Sequence, residues 1–137
     1  MGVRLMGATV LGPALQGHRG VEILPANAVA ATPFLQGLDC FTYRTHPCFP
    51  EAWGRVVLEA MAVGLPVVVH AVGGYAEIIR HGHNGFLFHT DAEAFGLLQT
   101  LQHDPALRAR MGQAARETVE SLYAEEAFEQ HCRFYLR

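Results

Sequence analysis

The chain has 137 residues and half of them are hydrophobic, so it is long enough to fold around a core of its own. Its 10 basic and 13 acidic residues give a net charge of −3, which leaves no basic surface for nucleic acid, and all ten cations are arginine, which excludes lysine Schiff-base chemistry and a P-loop. No apolar run approaches the ~20 residues of a membrane span, and the first residues lack a signal-peptide pattern, so we expect a cytoplasmic protein.

The elements before residue 39 give weaker signals than those that follow. Short strands are expected at Val3–Met6 and Val21–Leu24, and the stretch from Val10 to Gln16 between them is ambiguous. From Asp39 onward, short apolar runs alternate with helical patterns, which is typical of βαβ units. We predict one α/β domain over residues 1–137, Rossmann-like and three-layered, with a mainly parallel sheet and a helical C-terminal end.

The first clear βαβ unit begins at Asp39. The pattern predicts a strand at Asp39–Tyr43, a helix from about Gly54 to Val63 and a strand at Pro66–His70. The helix is stopped by Gly64 and by the proline two residues beyond. Because the second strand is apolar without alternation, we expect it to be covered on both faces and to be central in the sheet.

The later elements follow in the same rhythm. A short helix is expected near residues 75–81 after a Gly-Gly turn, and a strand at Phe86–Phe88 after Asn84-Gly85. Asp104-Pro105 begins another helix as cap and first position, and a last helix runs from Ala124 to about Leu136.

A capping box marks the start of the helix between these two. Thr90 and Glu93 have the spacing in which side chain and backbone cap each other. The buried stripe of this helix is predicted to comprise Ala94, Phe95, Leu98 and Leu101.

Metal binding is not expected. The three cysteines lie in separate segments without C-x-x-C spacing, so we interpret them as free thiols. His81, His83 and His89 are close in sequence, but glycine turns account for two of them and no nearby carboxylate completes a site.

Two carboxylates, separated by seven residues, flank the start of the helix at Gly54. Glu51 falls in the loop and Glu59 inside the helix, so both can approach the crevice at the carboxyl ends of the strands. The helix start offers free N–H groups to a phosphate, and Arg55 adds a cation. In an apolar helix we expect Glu59 to be buried and to need a polar partner such as a ligand hydroxyl. Taken singly, Glu51 can merely favour the helix dipole, and Glu59 can be an ordinary surface residue.

The run from Pro50 to Pro66 resembles the signature of family 4 (group 1) glycosyltransferases with the GT-B fold. It has the Glu-x7-Glu spacing and a Leu-Glu-Ala-Met-Ala-Val-Gly-Leu-Pro stretch. Gly73-Gly-Tyr-Ala-Glu77 is similar to the family's Gly-Gly-x-x-Glu, and Asp104-Pro with the helix after it resembles the family's C-terminal region. The resemblance covers roughly Val21 to Arg137.

The resemblance implies the C-terminal domain of a retaining hexosyltransferase, which binds a UDP-, GDP- or ADP-sugar without a metal or other cofactor. It implies that Glu51 is the catalytic position facing the donor sugar and that Glu59 holds the ribose hydroxyls. The remaining donor-binding positions it implies are Ala52, Trp53, Gly54, Arg55, Gly73 and Gly74.

Two departures from the family pattern qualify these implications. The strand and helix that carry an Arg and a Lys for the diphosphate are absent from the sequence, and so is the N-terminal acceptor domain. We therefore expect a partial domain, truncated at its N-terminal side, that binds the donor, is inactive alone and self-associates through uncovered apolar surface. A non-catalytic nucleotide-binding or interaction module and a GT-B-type nucleotide-sugar epimerase remain alternatives. For the full-length protein, a peripheral membrane acceptor also remains open.

Overall fold

The computed structural model describes residues 2–15, 17–46, 48 and 51–135, except the side chains of residues 128, 130, 131, 134 and 135. The chain divides into two compact units, Met1–Leu38 and Asp39–Arg137. The boundary falls where the clear βαβ pattern begins in the sequence. This division is compatible with one domain or two, so the single domain expected for residues 1–137 stays a prediction.

The first unit contains a parallel pair of strands. β1 (Val3–Met6) lies beside β2 (Val21–Leu24), with Val3 opposite Val21. Both strands are as predicted. The ambiguous stretch between them forms a 3-10 turn at Thr9–Leu11 and a one-turn helix, α1 (Gly12–Leu15).

A second helix of this unit, α2 (Ala31–Gln36), was not predicted. The sequence gives no clear signal for this helix. Its N-cap residue, Ala30, has no side chain that can cap, and Pro33 is usually a helix-breaking residue. The proline is tolerated because it lies in the first turn, where the backbone N–H has no intrahelical acceptor.

The second unit is built on a three-stranded parallel sheet. Its strands are β3 (Phe41–Tyr43), β4 (Val67–His70) and β5 (Phe86–Phe88), in the order β3-β4-β5. Each strand lies where the sequence predicts one. The chain therefore has an α/β fold with parallel sheets, and a helical C-terminal end follows β5.

The central strand is β4, and its three valines are fully buried. Successive side chains of a strand point to opposite faces, so burial of all three means that both faces of β4 are covered. The prediction from its unbroken apolar sequence is confirmed.

The α-helices that the structure describes in this unit are α3 (Arg55–Ala62), α4 (Asp91–His103), α5 (Pro105–Leu122) and α6 (Glu125–Tyr135). α3 packs against β3, β4 and α5, whereas α4 packs against β4, β5 and α5. The predicted end of the last helix, near Leu136, lies outside the described residues. The short helix expected at residues 75–81 is instead a 3-10 turn, Gly74–Glu77. Among the described helices, none is long and apolar enough to cross a membrane.

One core cluster joins the sheet to the C-terminal helices. Val68, Phe86 and Phe88 pack with Leu101 of α4 and Met111 of α5. Burial of each such side chain contributes about 1.5–3 kcal/mol, so this cluster holds α4 and α5 on the sheet.

The prediction that Phe95 lies in the buried stripe of α4 is wrong, because its side chain is 53% exposed. The face that α4 presents to the core follows an i, i+3, i+4, i+7 pattern, and position 95 lies about 100° of helix rotation away from position 94. The residues on that face are Ala94, Leu97, Leu98 and Leu101.

The predicted starts of α4 and α5 are confirmed. The Thr90 hydroxyl accepts a hydrogen bond from the Glu93 amide at 3.2 Å, and the Glu93 carboxylate accepts from the Thr90 amide, which completes the capping box. At the start of α5, the Asp104 carboxylate accepts from the Leu107 amide at 2.8 Å, with Pro105 in the first helical position.

Candidate functional site

The candidate site lies at the carboxyl edge of the β3-β4-β5 sheet. Because these strands are parallel, the connections that follow them leave from the same edge. The connection after β3 leads to Glu51, and the one after β4 contains Gly73 and Gly74. The Gly74 amide donates a hydrogen bond to the Glu51 carbonyl at 3.2 Å, so the two connections meet.

The two connections touch backbone to backbone. A Cβ added at Gly73 would overlap the carbonyl oxygen of Glu51, and one added at Gly74 would overlap that of Ala52. Main-chain atoms cannot move aside as a flexible side chain can, so only glycine fits at both positions. We call this contact of Gly73 and Gly74 with Glu51 and Ala52 the backbone junction.

Gly54 begins α3 in a left-handed conformation, with φ +67° and ψ +50°. The ring of Tyr75 fills the space that a Cβ at this position would need. Among the described residues, no side chain caps this helix start. As at any helix start, the first amides of α3 have no intrahelical acceptor, and together with the positive end of the helix dipole they favour an anion.

Glu51 is held from β3. The Tyr43 hydroxyl, on the last residue of that strand, donates a hydrogen bond to Glu51 Oε2 at 3.2 Å. Burial raises the pKa of Tyr43, and the hydrogen bond with Glu51 and the charge of that carboxylate raise it further. The phenol therefore stays protonated and remains a donor at neutral pH. Sequence analysis missed this residue, since an aromatic residue at a strand end carries no signal of its own.

Tyr75 is fully buried beside the same carboxylate. Its ring stands edge-on to that of Tyr43, with centroids 5.7 Å apart and an interplanar angle of 82°. Burial raises the pKa of Tyr75, the nearby Thr45 hydroxyl lowers it, and the charge of Glu51 raises it. Thr45 makes no well-formed hydrogen bond to the phenol, and Tyr75 Oη has no partner within the described part of the chain.

A side-chain hydrogen bond joins the segment after β3 to the end of β4. The buried Thr45 hydroxyl lies 2.9 Å from His70 Nδ1, and which of the two donates depends on the imidazole tautomer. The His70 ring stacks on Phe88 of β5, with centroids 5.6 Å apart. These contacts link the connection after β3 to β4 and β5.

The prediction that Glu59 is buried is wrong. Its side chain is 42% exposed and forms an ion pair with Arg55, whose Nε lies 3.3 Å from Glu59 Oε1. Residues four apart on a helix are neighbours, and long charged side chains reach solvent from the edge of an apolar face. The Arg at i−4 was visible in the sequence and would have predicted this pairing. The need for a ligand hydroxyl therefore cannot be argued from burial.

The structure brings together most of the predicted site residues. Glu51, Ala52 and Gly54 meet Gly73 and Gly74 through the backbone junction and the Tyr75 ring. The Trp53 side chain, beside them, is 50% exposed, and the Arg55 side chain is 88% exposed.

His81, one of the three histidines considered for a metal, stabilises the turn before β5. His81 Nδ1 accepts a hydrogen bond from the Leu87 amide at 3.1 Å, and the His81 ring meets Phe86 edge-on. Among the described residues, no group of three His, Cys, Asp or Glu side chains is placed to hold a metal ion. That the site works without a metal stays a prediction.

Comparison with protein families identifies the family of this chain. Residues 29–118 match the family model described as "Glycosyl transferases group 1". The match begins before β3 and ends within α5, so it contains the whole candidate site. The chain belongs to the group 1 glycosyltransferase family. The resemblance found in the sequence is confirmed.

This group 1 chain matches only part of the length of its curated relatives. D-inositol 3-phosphate glycosyltransferase of Pseudarthrobacter chlorophenolicus is 45% identical over 71 residues, which cover 50% of the chain and 17% of the relative. Sulfoquinovosyl transferase of Arabidopsis thaliana is 47% identical over 79 residues, 54% of the chain and 16% of the relative.

Solved structures confirm the GT-B type of fold for this group 1 chain. Anabaena HepE in complex with UDP-glucose superposes with a TM-score of 0.72 at 26% identity, over 94% of the chain and 35% of that protein. The C-terminal domain of a group 1 family protein, LpcC of Francisella tularensis, matches 86% of the chain and 63% of that domain, with a TM-score of 0.70. At 22% identity the second likeness shows the fold alone.

Proposed function

We propose that this chain forms the nucleotide-sugar site of a retaining glycosyltransferase that transfers a hexose from a nucleoside diphosphate sugar to an acceptor. The observation that carries the proposal is the backbone junction, which sets the Glu51 carboxylate and the open start of α3 side by side at the carboxyl edge of a parallel sheet. Ligands of open α/β sheets bind at such edges. The HepE complex with UDP-glucose supports this class of ligand.

In this proposal the diphosphate lies against the start of α3. The amides of residues 52–55, with Gly73 and Gly74, face the sugar and the phosphates. As the nucleoside diphosphate leaves, these fixed donors stabilise its growing negative charge, an effect of about 3 kcal/mol per well-placed donor. The chemistry supplied by this chain is therefore electrostatic, and it calls for no metal or other cofactor.

In the same proposal, the ion pair between Arg55 and Glu59 separates when the ligand binds, and each side chain then contacts the ligand. Exposed i, i+4 ion pairs contribute only about 0.3–0.5 kcal/mol, so separating this pair costs little. The freed guanidinium then reaches a phosphate, and the freed carboxylate accepts hydrogen bonds from the ribose hydroxyls.

Glu51 faces the donor sugar, with Tyr43 holding its carboxylate. The nucleotide is UDP, GDP or ADP. We place the acceptor site on another domain of a cytoplasmic full-length protein, so the 137-residue chain alone binds the donor without transferring it.

Calorimetric titration with UDP-, GDP- and ADP-glucose tests this function. We expect one of them to bind, and Glu59→Ala to lower its affinity tenfold or more, since a hydrogen bond to a charged group contributes about 1.5–3 kcal/mol. Glu120→Ala is the matched control, because Glu120 forms the same kind of exposed i, i+4 pair, with Arg116 on α5, and belongs to neither connection of the site. Equal affinities of the wild type and Glu59→Ala, or no binding of any of the three, would contradict the proposal.

A further inference from the structure

The hydroxyl of Tyr75 is a buried polar group that packing alone does not explain. It is buried, and no acceptor or donor among the described residues is hydrogen-bonded to it. Buried polar groups are nearly always hydrogen-bonded, and leaving one unpaired destabilises a fold. Phenylalanine would fill the same space without that penalty, so the hydroxyl needs an explanation beyond packing.

The ring holds this hydroxyl in a fixed place. The ring occupies the space beside Gly54 and comes within 3.1 Å of where a Cβ of Gly73 would be. It is therefore packed against both the connection after β3 and the connection after β4. The edge-on contact with Tyr43 fixes a third side. Because a tyrosine side chain has two rotatable bonds before its planar ring, the position of the hydroxyl is set once the ring is held.

The under-used acceptor near this hydroxyl is Glu51. Its carboxylate accepts from Tyr43 at 3.2 Å, which is long for an O–H···O⁻ bond, and a carboxylate has about four acceptor positions. The Glu51 charge acts on both tyrosines and contributes to the raised pKa of each. The other neighbour, Thr45, makes its hydrogen bond with His70 and none of good geometry with Tyr75 Oη.

We propose that Tyr75 is a positioning residue for the donor sugar. When a nucleoside diphosphate sugar binds, the Glu51 carboxylate shifts to accept a second hydrogen bond from the Tyr75 hydroxyl. The two phenols then hold the carboxylate in the orientation that faces the sugar. This inference rests on the proposed function, and it assigns to Tyr75 a role that only the bound state uses.

The substitution Tyr75→Phe removes the hydroxyl and keeps the ring. We expect its ligand-free thermal unfolding temperature to equal or exceed that of the wild type, because an unpaired polar group is lost. Its affinity for UDP-glucose (or for GDP- or ADP-glucose, if the wild type binds that instead) should fall about fivefold, the effect of one net hydrogen bond. Affinity for the nucleoside diphosphate without sugar should stay within about twofold of the wild type, since Glu51 faces the sugar.

Two further variants sharpen this test. Tyr123→Phe makes the same chemical change at an exposed tyrosine after α5, and should leave all three measurements unchanged. In a Glu51→Ala background, Tyr75→Phe should lose most of its effect on affinity, because no side-chain acceptor oxygen remains at position 51.

Several outcomes would overturn the inference. A lower unfolding temperature of Tyr75→Phe with unchanged affinity would show a structural role, and an equal loss for nucleotide and sugar nucleotide would show general damage to the site. If the wild type binds a sugar nucleotide and Tyr75→Phe binds it equally well, only this inference fails. If the wild type binds none, the proposed function fails and this inference with it.

Discussion

At the scale of single residues, Gly54 combines two constraints that can be separated by experiment. Its left-handed φ of +67° disfavours any residue with a side chain, and the Tyr75 ring blocks the Cβ position. Gly82 has a similar φ of +81° but no atom within 4 Å of an added Cβ. The pair therefore distinguishes backbone strain from steric overlap.

We expect Gly82→Ala to lower the free energy of unfolding by about 1 kcal/mol, the strain of a left-handed residue. Gly54→Ala should lower it by about 3 kcal/mol, because the Tyr75 ring must also move. Urea denaturation of both variants measures the difference. Equal losses of unfolding free energy in the two variants would show that the Tyr75 ring moves aside at no cost and does not fix the start of α3.

At the scale of elements, the start of α4 contains a pH-dependent contribution to stability. The Glu93 carboxylate accepts from the His89 amide at 2.7 Å and from the Thr90 amide, and these bonds hold its pKa below the ordinary value. A carboxyl whose pKa is lower in the folded chain stabilises the fold above its unfolded pKa of about 4.3. That contribution is lost as the pH falls through the depressed value.

Glu93→Gln keeps an acceptor oxygen and removes the charge. We expect the variant to unfold at a lower temperature than the wild type at pH 7, and the gap to close as the pH is lowered through the pKa of Glu93. Glu117→Gln, at an exposed position in the middle of α5, serves as the control. A gap that stays constant with pH would mean that the charge of Glu93 contributes nothing to the cap. Thermal unfolding followed by circular dichroism at several pH values measures the unfolding temperatures of the wild type and of both variants.

Local chemistry in the sequence was enough to predict most of these elements. The unbroken valines of β4 and the capping pair at Thr90 need only near neighbours to be understood. α2 was missed because neither of its ends carries a capping side chain. Burial of Phe95 was misjudged because position 95 lies off the i, i+3, i+4, i+7 face of α4, and burial of Glu59 because its i, i+4 pairing with Arg55 was overlooked.

The candidate site divides in the same way. The two glutamates and the glycines could be found from their spacing. The unpartnered hydroxyl of Tyr75 could not, since it follows from the meeting of two connections that are about twenty residues apart in sequence. Local patterns give positions along the chain, and only packing gives the partners of each side chain.

At the scale of the whole molecule, large apolar side chains are exposed on both compact units. Val10 is 84% exposed in the first unit, and Phe95 and Tyr123 are 53% and 67% exposed in the second. These features favour contacts between copies of the chain.

We therefore expect the chain to self-associate as its concentration rises from micromolar to millimolar. Sedimentation velocity and light scattering measure this directly. Sodium sulfate should strengthen the association if it is apolar, whereas a charge-driven association would weaken with salt. A strict monomer over the whole range would contradict the expectation.

The backbone junction has a consequence for how such a binding site can diversify. The tightest contacts at Gly73 and Gly74 are with the carbonyl groups of Glu51 and Ala52, which are main-chain atoms, so they do not depend on which side chain stands at position 52. Trp53 approaches Gly74 through its Cα, and its side chain is half exposed. Substitutions at positions 52 and 53 can therefore change these side chains while the backbone contact beneath them stays the same, which makes the two positions the first targets for altering ligand preference in the proposed nucleotide-sugar site.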